Sequence, residues 1–71
     1  MRYTVILEKG ESSYGAYVPD LPGCIAAGET REEALELIKG AIEFHIDGLK
    51  QDGQAVPQPL SVSEVVEVDA V

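Results

Sequence analysis

Pro19-Asp20-Leu21-Pro22-Gly23-Cys24, followed shortly by Gly28-Glu29-Thr30-Arg31-Glu32-Glu33-Ala34, is the stretch that decides how this chain folds. Pro19 and Pro22 fix their own backbone angles and Gly23 supplies freedom for a sharp reversal, so the segment is a tight, rigid turn between two short apolar strands. Thr30-x-x-Glu33 has the form of a capping box, in which a hydroxyl and a carboxylate satisfy backbone N–H groups that the first helical turn leaves open. One stretch thus sets a hairpin, its return strand and the start of a helix.

Toward the N-terminus, residues 2–8 alternate, with Tyr3, Val5 and Leu7 on one face and Thr4, Ile6 and Glu8 on the other. That period predicts a strand. Gly10-Glu11-Ser12-Ser13 has turn chemistry. Tyr14 to Val18 predicts a second strand, with Tyr14, Ala16 and Val18 on one side and Tyr17 on the other, and Cys24 to Gly28 a third built from small residues. Connections this short favour antiparallel neighbours.

Toward the C-terminus, Arg31 to about Asp52 predicts one long helix, roughly 33 Å at 1.5 Å per residue. Ala34, Leu35, Ile38, Ala41, Ile42, His45, Ile46 and Leu49 share a face, and Leu37, Phe44 and Gly48 lie along its margin. The apolar arc spans about 200°, wider than one side of a three-stranded sheet requires. Gly40 and Gly48 each cost the helix roughly 1 kcal/mol against alanine and leave room for close backbone approach, while Gly53 is a natural stop. Pro57 and Pro59 impose an extended crossing segment. Ser61 to Val71, with Val62, Val65, Val66 and Val68 among acidic residues, predicts a closing strand. The expected fold is α+β in the order β-β-β-α-β, an antiparallel sheet packed on one long helix, in a single domain spanning 1–71.

A 71-residue chain buries only roughly 60% of the surface its unfolded form exposes, so its core is thin. Disulfides, metals or oligomerisation usually make up the difference. One cysteine excludes an internal disulfide, and one cysteine with one histidine cannot fill a zinc shell. Oligomerisation is left, and Leu37, Phe44, Val65, Val66 and Val68 are the expected interface of a homo-oligomer. Neither a signal-peptide apolar stretch nor a run near the ~18 residues of a membrane span occurs, so a soluble, cytoplasmic protein is expected. Thirteen acidic residues against five basic ones give a net charge of −8. Such a surface repels a phosphate backbone, which argues against direct DNA or RNA binding, and it suits a basic protein partner.

Candidate chemistry is sparse. His45 falls near the centre of the apolar helix face, with Glu43 and Asp47 pointing away from it, so a packed histidine is the simpler reading. Glu8, Asp20 and Glu29 lie at strand ends, but no spacing compels them to converge on metal ions ~4 Å apart. Asp20 in a proline turn is ordinarily a residue that bonds its own backbone. Cys24, after a glycine in a small-residue strand, has the character of a buried structural thiol. Tyr3, Tyr14 and Tyr17 suit half-buried strand positions or interface anchors equally well. Gly10, Gly15, Gly23 and Gly28 match no phosphate-loop spacing, and no cofactor or metal is expected.

Tyr14-Gly15-Ala16-Tyr17-Val18-Pro19-Asp20-Leu21-Pro22-Gly23-Cys24, Gly28-x-Thr30-x-Glu32-Glu33-Ala34, Ala41-Ile42-Glu43-x-His45 and Pro57-x-Pro59 together resemble the HicB-like antitoxin family. That resemblance implies a partial ribonuclease H-like fold and a non-catalytic protein that binds and blocks HicA, a small basic ribonuclease toxin that cleaves messenger RNA. Many family members add a C-terminal ribbon-helix-helix or helix-turn-helix segment. No second amphipathic helix follows Gly53 here, so operator binding is not carried over. The rigid turn, Tyr17 with Asp20, Leu21, Pro22 and Gly23, is the expected toxin contact. The alternatives are an orphan structural or regulatory oligomer without a HicA partner, and a residual metal-dependent nuclease.

Overall fold

The computed structural model describes residues 1–70, ordered as β1 (Ile6–Lys9), β2 (Tyr14–Tyr17), β3 (Ile25–Gly28) and α1 (Arg31–Gln51). The strands form one antiparallel sheet in the order β1-β2-β3. Leu7, Ala16 and Ala26 stand side by side across it on the inner face, and Ile6, Tyr17 and Ile25 form the matching row on the outer face. Small side chains in the inner row let α1 lie close, across β3 and β2. The core consists of Ala16, Val18, Leu21, Cys24, Ala34 and Ile38. Tyr3, Val5, Leu7, Tyr14, Ala26, Ala41, Ile42 and Ile46 pack around it, so the alternating and helical periods of the sequence point their apolar faces as expected. The helix margin does not: Leu37 and Phe44 face solvent.

Hydrogen bonds within the chain define both helix ends. The Thr30 hydroxyl accepts from the Glu33 N–H at 3.0 Å. The Glu33 carboxylate accepts at 2.9 Å from the N–H of Glu29, one residue before the position a capping box prescribes. At the other end Gly53 has φ of 70°. Its N–H bonds the Lys50 carbonyl and the Gln54 N–H bonds that of Leu49, which is the pairing of a Schellman motif.

β3 and α1 meet at Gly28. A Cβ there would lie 2.7 Å from the Ala34 nitrogen and 3.0 Å from Glu33 Cγ, so only glycine lets the strand end meet the first helical turn. Gly40 and Gly48 differ, since nothing within the chain approaches the place a Cβ would occupy at either.

Two expectations need correction. β1 starts at Ile6 rather than near residue 2. β2 ends at Tyr17, where the chain turns away, so residues 2–5 have no strand to pair with and face the C-terminal segment instead. The closing strand is likewise not formed among the described residues of 61–70; Val71 lies outside them. The Leu60 N–H bonds the Gln58 carbonyl at 2.9 Å, a three-residue turn about Pro59 that redirects the chain, and Val62, Val65, Val66 and Val68 then stand exposed.

The glycines make opposite predictions. Gly28→Ala should lower stability by about 1–3 kcal/mol through overpacking. Gly40→Ala should raise it by roughly 0.5–1 kcal/mol, because a helix gains from alanine where nothing is displaced. Urea midpoints at unchanged slope check both.

Candidate partner-binding surface

Val18 to Cys24 is closed by two successive turns. The Leu21 N–H bonds the Val18 carbonyl at 3.1 Å with Pro19 in the second position, and the Cys24 N–H bonds that of Leu21 at 3.0 Å with Pro22 in the second position. Gly23 has φ of 84°, so the second turn has the type II form, in which the third position favours glycine. A bond from the Val18 N–H to the Cys24 carbonyl closes the loop at its neck. Leu21 swings inward and is fully buried, which removes it from the expected contact residues: its side chain is part of the core. Pro22 and Gly23 are exposed at the tip.

Asp20 has a partner that sequence spacing did not suggest. Its carboxylate oxygens accept from the Ser61 N–H at 2.9 Å and the Ser61 hydroxyl at 2.8 Å. The Thr4 hydroxyl donates to the Ser61 carbonyl at 2.8 Å and the Tyr3 hydroxyl to the Pro57 carbonyl at 2.6 Å. Asp20 therefore does not bond its own turn; it clamps the C-terminal segment against the start of the chain. Glu8, Asp20 and Glu29 are not brought together, and no three His, Cys, Asp or Glu side chains cluster among the described residues. His45 is half-buried on the sheet-facing side of α1. Cys24 is buried, and that burial pushes its thiol above the ordinary value of 9.0. The neutral thiol is favoured by folding, so its contribution to stability is present below pH 9.0 and fades as the pH rises further.

Among the described residues no element covers the outer sheet face. Along it the row Ile6, Tyr17 and Ile25 is followed by the row Glu8, Gly15 and Ala27, which makes the middle of the face flat. Tyr17 is 38% exposed and Ile25 71%, so this apolar row is open to a partner, with the carboxylate of Glu8 beside it. Tyr17 ends β2 on this face, and Pro22 and Gly23 form the exposed tip of the turn that follows. Ile25 was legible only as part of a small-residue strand; its outward position follows once the register is known. Ser61 carried no sequence signal at all.

A model of the HicB_like antitoxin family of bacterial toxin-antitoxin systems matches residues 3–70. The chain belongs to the HicB-like antitoxin family. A UPF0150 protein of Thermoplasma acidophilum is 46% identical over 59 residues, which cover 82% of this chain and 86% of that protein. Antitoxin HicB 2 of Photorhabdus laumondii is 37% identical over 71 residues, 99% of this chain, and this HicB-like chain spans only 51% of that antitoxin's length. The crystal structure of the N-terminal domain of Burkholderia pseudomallei antitoxin HicB superposes with a TM-score of 0.73 at 34% identity, over 82% of this chain and 69% of that one. The HicB-like fold is thus three antiparallel strands followed by one long helix. No helix among the described residues is long and apolar enough to cross a membrane.

Replacing Asp20 by alanine should release the segment from Ser61 onward and cost roughly 1.5–3 kcal/mol, the range for a hydrogen bond to a charged acceptor. Hydrogen exchange should show the Ser61 amide losing protection while those of α1 keep theirs.

Proposed function

We propose that this chain is a non-catalytic antitoxin that neutralises a small basic ribonuclease toxin of the HicA kind by covering it. The observation that carries the reading is the open sheet face of a HicB-like domain, an apolar row of Ile6, Tyr17 and Ile25 on a chain of net charge −8. A toxin that acts on messenger RNA needs a basic surface for its substrate. An acidic protein of complementary shape competes for that surface. Inhibition then follows from occlusion: apolar anchors dock, the surrounding carboxylates meet basic side chains, and no covalent step is involved. The rigid turn at Pro22 and Gly23 loses little entropy on docking. Such an encounter takes place in the cytoplasm, where the messenger RNA is.

Self-association is the second part of the reading, favoured by Leu37 and Phe44 on the solvent side of α1 and by the exposed valines of the C-terminal segment. In an orphan without a toxin, self-association would be the whole function; the neighbouring reading frame separates the two, since an antitoxin is accompanied by a small basic partner. A residual nuclease is disfavoured because both carboxylate oxygens of Asp20 are engaged by Ser61.

Against its toxin, the association rate should fall steeply with salt while dissociation changes less. Ile25→Glu places a charge on an exposed position, so the fold should survive while affinity drops about 10–100-fold, or roughly 1.4–2.8 kcal/mol. Stopped-flow binding with circular dichroism as the folding control tests both. Full affinity in a folded Ile25→Glu protein would remove the sheet face from the interface. Metal-dependent RNA cleavage lost in Asp20→Asn would replace the antitoxin reading with the nuclease one.

A further inference from the structure

The segment from Val62 to Ala70 is written as a strand but is paired with no strand among the described residues. Val62, Val66, Val68 and Ala70 alternate onto one side, interrupted there by Glu64, and Ser63, Val65, Glu67 and Asp69 fall on the other. Its four valines are 74–96% exposed and lie outside the core cluster. Up to Ser61 the chain is pinned beside Tyr3, Thr4 and Asp20; beyond it the nine residues can reach about 30 Å at strand spacing.

The same chain carries a matching vacancy. β1 pairs only with β2, so its other edge presents unpaired backbone groups, a template for a further strand. Arg2 and Lys9 flank that edge, both exposed, and they are the only basic residues before the helix. The segment carries Glu64, Glu67 and Asp69 and no basic residue. Donor and acceptor thus match in backbone, and the basic residues at the two ends of the edge, with Glu8 between them, face a segment whose only charges are acidic.

We propose that residues 62–70 are donated as a strand to the free β1 edge of a second copy, which returns its own, giving a symmetric dimer sealed by two exchanged strands. A two-fold contact needs a self-complementary surface, and a donor segment and an acceptor edge on one chain meet that need. The pinned Ser61 sets where each strand leaves its sheet. The proposal deepens the self-association inferred above and is independent of the toxin reading, because its test contains no toxin.

The test uses the full chain, with a Val66→Pro, Val68→Pro double variant, since proline cannot donate to a ladder. Light scattering should give twice 7.6 kDa for the wild type, and the variant should dissociate at least tenfold more readily with its helix signal unchanged. Hydrogen exchange should show amides 62–70 protected at high concentration and unprotected after dilution to monomer. A wild-type monomer at high micromolar concentration would overturn the proposal, as would protection that survives dilution, which marks pairing within one chain. So would a dimer indifferent to the prolines but lost in Phe44→Glu, which would put the interface on the helix. Failure of toxin binding leaves all of these outcomes unaffected.

Discussion

The absence of a side chain at Gly28 is the constraint on which the rest of the domain depends. A methyl group would sit 2.7 Å from the Ala34 nitrogen, so the last strand and the first helical turn share one close contact with no slack. That contact fixes where α1 starts, and the bonds of Thr30 and Glu33 to backbone N–H groups fix its direction from there. Ala34 and Ile38 are then delivered onto Ala16 and Cys24 to make the core. In a domain with so few fully buried residues, a packing error at this point has no second core to absorb it.

Burying one sheet face under one helix leaves the opposite face bare. In a larger domain that face would meet another layer. Here Ile6, Tyr17 and Ile25 stand in register on it, so the architecture that buries one apolar row leaves a second one at the surface. The proline turn belongs to both sides: Leu21 enters the core while Pro22 and Gly23 stay at the rim.

Most of the fold was legible because local rules dominate it. The helical spacing of Ala34, Ile38 and Ala41, the Thr30 cap and the Gly53 stop are short-range signals with their expected place in the structure, and the alternation of Tyr3, Val5 and Leu7 turns these side chains to the core although the strand itself starts only at Ile6. Two features escaped. The valines after Ser61 have strand propensity, but a strand also requires a partner, which propensity does not supply. Asp20 was read within its own turn because its true partner, Ser61, lies 41 residues away. The surface was legible in part: Tyr17 and the turn were visible, Ile25 only through the register, and Leu21 pointed inward because the Gly23 reversal carries it there.

The Asp20–Ser61 clamp gives the molecule a graded stability. The meander and helix close over short separations, whereas the bonds to Ser61 and Pro57 span 41 to 57 residues. Four hydrogen bonds, each worth about 0.5–3 kcal/mol, hold this end with no fully buried side chain to help. It is therefore the last part to dock during folding and the first to detach afterwards, well before the sheet and helix part. Each detachment frees the chain beyond the helix while the sheet and helix stay folded, so opening at this end and global unfolding are separate events with separate free energies.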